Sequence, residues 1–325
     1  MAGAAEARNH HWIPQCYLKG FTRSGKALGQ LYVVDAKQRK AFTTKPRNVA
    51  AERDFNRIDA PGLDPNQVET DMAAFESELA LALERLIQHC QFQSHDDFHL
   101  ILQLAAILAT RSPERREQVR QFTEQIAKQI LKYSVATEDH YEKQYGEALA
   151  ATAPNDHKAV SYEALKDFIH SDDYLVNMSK NFHVGTELKT ADNILPYFEA
   201  RKWTLFLAPP DCSGYVTTDR PVVLRWAEEK NRGFFSSPGF SLKGTEVWFP
   251  ISSRLALVGG FDDITGITEL PQDGVALFNG VMIQHSGGRV YAMDDQFQYI
   301  NLIGEQRRGT DMLEDIARFS EAHHG

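Results

Sequence analysis

The 325-residue sequence predicts an α+β fold: an N-terminal β-hairpin segment and a helical middle packed on a C-terminal, mainly antiparallel sheet. Two observations carry this. In the middle of the chain apolar residues recur at helical spacing, first as Val68, Met72, Phe75, Leu79, Leu83 and Leu86. After Arg201 the texture changes to short apolar runs punctuated by Gly and Pro. We read a single domain over 1–325, with a sub-division into a mainly helical part bearing the hairpin (1–200) and a mainly β part (201–325).

The chain opens on Asn9-His10-His11-Trp12-Ile13-Pro14-Gln15-Cys16-Tyr17-Leu18-Lys19-Gly20-Phe21, a crowding of His, aromatic and Pro residues where most chains are bland. Two strands are expected at 31–35 and 40–44, joined by a polar turn and folding back over this opening segment. Residues 46–56 show no period, and 59–66 form a loop with Pro and Gly. In the first helix Glu69 and Glu76 are seven apart, which stacks them on one side beside the apolar face. A second helix starts near Ser94, with Asp97 three residues on as a capping signal. Its stripe is Leu100, Leu104 and Ile107, and Arg111 falls on the same stripe. Ser112-Pro113 breaks or restarts the helix, because Pro fits a first helical position. Residues 114–133 are highly charged and solvated on most sides, and 153–156 reads as a connector. Helical spacing returns over 162–178 and 193–200. Strands follow at 203–208, 215–217, 221–226, 246–251 and 255–259, then a helix at 274–285 and a strand at 289–292.

Composition narrows the class. With 42% hydrophobic and 24% charged residues the chain is an ordinary globular protein. A net charge of −9 excludes broad, sequence-independent nucleic-acid binding and leaves room only for a local basic groove. No apolar run approaches the ~20 residues of a membrane span, and residues 1–8 lack the apolar core of a secretory signal. Cys16, Cys90 and Cys212 are far apart in sequence, against a disulfide framework or thiolate metal cluster. The cytoplasm is the expected compartment.

His11-Trp12-Ile13-Pro14-Gln15 with Tyr17-Leu18 and Phe21, Asn48-Val49 with Glu52 and Asp54-Phe55, and Val68-Glu69 with Glu76 form an ordered series. It continues in Arg111-Ser112-Pro113, Thr218-Asp219-Arg220-Pro221-Val222 and Phe249-Pro250-Ile251. In this order the segments resemble a bacterial and fungal family named domain of unknown function 4238, over most of the chain. The family's motif usually has another aromatic where Trp12 stands and often Gln where His10 stands, which makes His10 a poorer candidate than His11. The resemblance supplies positions and no mechanism.

Each position has two readings. Imidazoles titrate near neutrality, so His11 is a candidate proton carrier or ligand; the alternative packs it among Trp12, Tyr17 and Phe21. Arg111 on an apolar stripe is partly desolvated and needs an anion, either Glu69 or Glu76 in a structural bridge or a bound phosphate or carboxylate. Asp219, at a strand end, is a base or metal ligand, or a turn Asp bonded to its own backbone. His95 and His99 share a helix face, but the acids between them suit a helix N-terminus without any metal. P-loop, dinucleotide, Cys-pair zinc and serine-elbow motifs are absent.

The sequence therefore points to a hydrolase of a phosphate-containing substrate, a small molecule or nucleic acid, in a cleft between the helical part and the sheet. His11, Arg111, Asp219 and Glu52 would act there, with Asp219 and Glu69 holding a divalent metal and Tyr17, Arg53 and Thr218 touching substrate. The alternative is a non-catalytic binding module, in which these residues form a structural polar network. A third reading is a toxin-like effector that docks a protein through 114–133.

Overall fold

The computed structural model describes residues 9–25, 28–151, 160–228, 237–262 and 265–316, apart from the side chains of 145–151. The segments 1–8 and 153–156 read above lie outside the described residues. The chain divides into two units, residues 1–112 with 184–325, and residues 113–183.

The larger unit is α+β. Its opening residues form strand β1 (Asn9–His11) and a one-turn helix α1 (Gln15–Leu18), which tightens into a 3₁₀ turn at Lys19–Phe21. The hairpin is β2 (Leu31–Asp35) and β3 (Lys40–Thr44), and the aperiodic stretch after it yields β4 (Ala51–Arg53), which pairs antiparallel with β1. Helix α2 (Gln67–His89) buries Met72, Leu79, Ala82, Leu83 and Leu86. Helix α3 (His95–Thr110) is capped by the Ser94 side chain, which accepts from the Asp97 N–H. The two helices are joined by a bidentate pair, Arg85 donating to Asp97 at 2.9 and 2.5 Å.

The smaller unit holds α4 (Pro113–Ser134), α5 (Glu138–Ala151) and α6 (Tyr162–Ser171). Helix α4 neutralises its charges within the unit, through Glu117–Arg120–Glu124–Lys128 and through Lys132–Asp172. The helix expected over 162–178 ends at Ser171, because Asp172 turns into the left-handed region at φ 57°. Helix α7 (Lys180–Glu199) then carries the chain back into the larger unit.

The rest builds sheets: β5 (Lys202–Leu207), β6 (Thr217–Thr218), β7 (Val223–Trp226), β8 (Thr245–Ser252), β9 (Leu255–Gly260) and β10 (Gly266–Glu269). Helix α8 (Gln272–Gln284) and strands β11 (Arg289–Ala292), β12 (Gln298–Ile300) and β13 (Gln306–Arg308) complete it. A five-stranded sheet runs β10-β5-β9-β8-β7, antiparallel except for the parallel β10–β5 edge pair. A four-stranded antiparallel sheet runs β3-β2-β11-β6, so the N-terminal hairpin is completed by a strand from the far end of the chain.

Strand alternation sorts side chains into two cores. Val247, Phe249 and Ile251 of β8 join Leu205, Leu257, α2, α3, α7 and the opening segment in the first core. Trp248, Ala256 and Val258 face the second core, where Trp248 stacks on Phe278 of α8 at 4.9 Å. Gly280 lets α8 pass against β12, since a Cβ there would lie 2.3 Å from the Ile300 carbonyl. Beside it the buried Asn279 accepts from the Val216 N–H and donates to the carbonyls of Gly214 and Gln298. Asn279→Ala strands these backbone groups, and we expect urea unfolding to report a loss of about 2–3 kcal/mol.

Candidate functional site

The polar groups buried in the larger unit gather where β1, the Phe55-Asn56 bend, the first turns of α2 and the end of α3 meet. Arg111 caps α3 in extended conformation and is only 4% exposed. A guanidinium in such a place needs acceptors. It donates to Asn56 Oδ1 and lies over the Phe55 ring at 5.4 Å. Asn56 is saturated in turn: its Nδ2 donates to Glu69 Oε2 at 2.5 Å and its backbone N–H donates to His10 Nδ1 at 3.0 Å. Glu69 Oε2 also lies 3.7 Å from His10 Nδ1. Arg111 thus reaches Glu69 through Asn56.

Two groups beside this network have shifted ionisations. The Glu76 carboxyl is pushed up to about 7, first by burial and then by the Glu69 charge, while Arg111 pulls the other way. The His11 imidazole is lowered by burial, against a hydrogen bond with the Arg47 backbone and the attraction of Glu69. Its Nε2 is buried with no hydrogen-bond partner among the described residues. The third reporter is Cys16, whose thiol burial and Glu76 push up to about 12. At neutral pH it is a thiol and no nucleophile. Arg47 and Arg53 are exposed on the segment that supplies Asn56.

Of the remaining predicted positions, Glu52 and Arg53 lie on β4 beside β1, and the others lie elsewhere. Asp219 is buried behind β6, where its Oδ1 accepts from the Gly287 N–H at 2.7 Å and its own N–H donates to the Arg289 carbonyl. Its electrostatic neighbours are Tyr291 and Arg289, and Arg289 is itself bonded to Asp35 at 2.9 Å. These contacts tie Asp219 to the four-stranded sheet, whereas Glu69 is tied to Asn56, so the two expected metal ligands occupy different neighbourhoods. Thr218 closes its own turn, with Oγ1 donating to the Arg220 carbonyl and accepting from the Arg220 N–H. Tyr17 is fully buried and spends its hydroxyl on Thr217 Oγ1 and the Pro250 carbonyl, which leaves nothing for a substrate. Glu52 and Arg53 are exposed on β4, and Arg53 lies 3.7 Å from Asp54. His99 pairs with Glu199 at 2.6 Å, so the His95–His99 face does not close on an ion. Among the described residues no group of three or more His, Cys, Asp or Glu side chains is placed to hold a metal.

The segments that meet at this network, from β1 through Asn56 and Glu69 to Arg111, are those of the ordered motif series. The chain belongs to the DUF4238 family. The family model, described as protein of unknown function, matches residues 9–296. No curated protein and no solved structure matches the chain. Within this DUF4238 chain the sequence had favoured His11 over His10, yet His10 is the completely buried one, hydrogen-bonded to Asn56. Asn56 carried no signal beyond following Phe55, and Glu76 carried one, its seven-residue offset from Glu69.

Glu76 also sets a pH dependence. Its carboxyl ionises near 4.5 when unfolded and near 7 when folded, so between these values the folded chain holds a proton that the unfolded chain has released. The stability this supplies is complete below the lower value and is lost as pH rises through the upper one. Urea unfolding should therefore weaken across that window, and Glu76→Gln should flatten the curve and be more stable by about 2 kcal/mol on its alkaline side.

Proposed function

We propose that this protein is a cytoplasmic hydrolase of a phosphate-containing substrate, worked by Glu76 and His11 as an acid–base pair around Glu69. The observation that carries the reading is the unpartnered, buried Nε2 of His11. It is a neutral base with a free lone pair, in a neighbourhood where a second group, Glu76, still holds a proton near pH 7. A carboxyl that keeps its proton beside an imidazole that burial keeps neutral is a pairing suited to acid–base catalysis. In the reaction water attacks phosphorus, His11 Nε2 takes the water proton, and the Glu76 carboxyl gives its proton to the departing oxygen. The exposed Arg47 and Arg53 supply positive charge for an anionic substrate on a chain that is acidic overall. Arg111, which the sequence offered as the anion binder, donates to Asn56 and lowers the Glu76 carboxyl against burial. The three cysteines are free, which suits a reducing compartment. Among the described residues no helix is long and apolar enough to cross a membrane.

A second reading has its own observation: His10, Asn56 and Arg111 are 0%, 2% and 4% exposed and bond to one another as a structural network would. Activity on a panel of phosphate mono- and diesters, measured beside thermal unfolding, separates the two. The hydrolase reading expects His11→Ala and Glu76→Gln to lower turnover at least ~100-fold with unchanged or raised midpoints. Arg111→Ala should cost ~3–5 kcal/mol under either reading, because it leaves buried partners unpaired. A wild-type protein inert on the whole panel, with His11→Ala also destabilised, would leave the network as scaffold.

A further inference from the structure

A groove of about 490 Å³ runs along the exposed flank of α2, walled on one side by the α1–3₁₀ segment and on another by the bend between β8 and β9. We infer that it binds a single-chain amphiphile with an anionic head. This rests on the groove alone and stands whether or not Glu76 and His11 are catalytic.

The volume falls within the ~300–1,000 Å³ of small-molecule sites. The walls are fixed before any ligand arrives. Gly20 approaches β8 so closely that a Cβ would lie 2.9 Å from the Ile251 carbonyl, and its own carbonyl accepts from the Ser253 N–H at 3.0 Å. Arg254 holds the opposite wall by donating to the carbonyls of Pro209, Pro210 and Cys212, which occupies its guanidinium.

The lining divides by chemistry. Ala80, Leu83 and Ile87 follow one another at i, i+3 and i+7 on α2, an apolar strip about 10 Å long at ~1.5 Å per residue. Leu83 lies deepest at 3% exposure, and Met293 adds to the apolar surface. A strip of that shape suits an extended hydrocarbon chain rather than a compact ring. Lys19 is half-buried and Arg23 exposed at the other margin, and neither is engaged by a carboxylate among the described residues. The exposed Glu84 is the acidic residue of the lining, against two open cations, while Asp294 and Asp295 line an adjoining pocket that Arg23 and Met293 share, on a chain whose overall charge is −9. A cationic rim over an apolar floor selects an anion carrying a tail. A bare phosphate would leave the floor wet, and a neutral lipid would leave the cations unused.

The test is calorimetric titration of the full chain with laurate and with dodecyl phosphate, each below its micelle threshold, and with dodecanol as the uncharged control. The expected result is saturable binding of one equivalent of an anion, at least tenfold tighter than dodecanol. The stronger of the two anions names the head group, carboxylate or phosphate. The double change Lys19→Glu with Arg23→Glu should weaken the anion at least tenfold and leave dodecanol unaffected. Ala80→Trp, which fills the strip, should abolish binding of all three. Anions bound no better than dodecanol, or anion binding that survives the double charge reversal, would overturn the assignment. Because that reversal is on the surface, it decides the matter whether or not Ala80→Trp folds.

Discussion

The hydroxyl of Tyr17 is the fixed point of the larger unit. Taking a phenol out of water costs several kcal/mol unless its oxygen is satisfied, and here two partners from different sheets do so. Thr217 belongs to the four-stranded sheet, and Pro250, whose carbonyl accepts, to the five-stranded one. The ring stacks on Phe249 at 5.4 Å and meets Phe21 at 5.3 Å, so the same residue also seats the opening segment in the first core. The opening segment thus works as a linchpin. With Trp12, Ile13, Leu18 and Phe21 buried around Tyr17, its backbone cannot shift without uncoupling the sheets.

That anchoring is what allows a polar cluster to exist beside it. His10 and His11 precede the buried run and are carried inward by it, and β4 supplies the ladder that holds them. A buried guanidinium, two carboxylates and two imidazoles would not collect spontaneously, since the desolvation of each ion exceeds what one contact returns. They are held because Asn56 mediates, with an acceptor for Arg111, a donor for Glu69 and a backbone N–H for His10. One neutral amide replaces several direct ion contacts.

The α+β class and the main helices were legible because their patterns are local. The α2 stripe, the Ser94 cap and the Ser112-Pro113 break each depend on neighbours within a few turns. Arg111 was legible for the same reason, as a charge in line with Leu104. The groupings were not. A three-residue ladder such as β1–β4 is too short to show a period, and the β2–β11 pairing joins residues as far apart as Asp35 and Arg289. Asp219 and Glu69 looked alike in sequence, as acids at element ends. What separates them is which backbone each was folded against, Gly287 in one case and Asn56 in the other.

The electrostatics of the α1–α2 seam combine burial with a charge imbalance. Glu69 and Glu76 place two carboxylates on one flank of α2, and Arg111 is the cation that the structure sets against Glu76. In a medium of low effective dielectric the unbalanced negative charge acts over several ångströms. Its sign appears at the groups it touches. It adds to burial, the larger cause, in raising the Glu76 carboxyl and the Cys16 thiol, and it works against burial at His11. Lys19, three residues beyond Cys16, opposes the shift at the thiol. One thiol thus lies between a carboxylate on α2 and an ammonium on its own segment, and burial together with the carboxylate prevails.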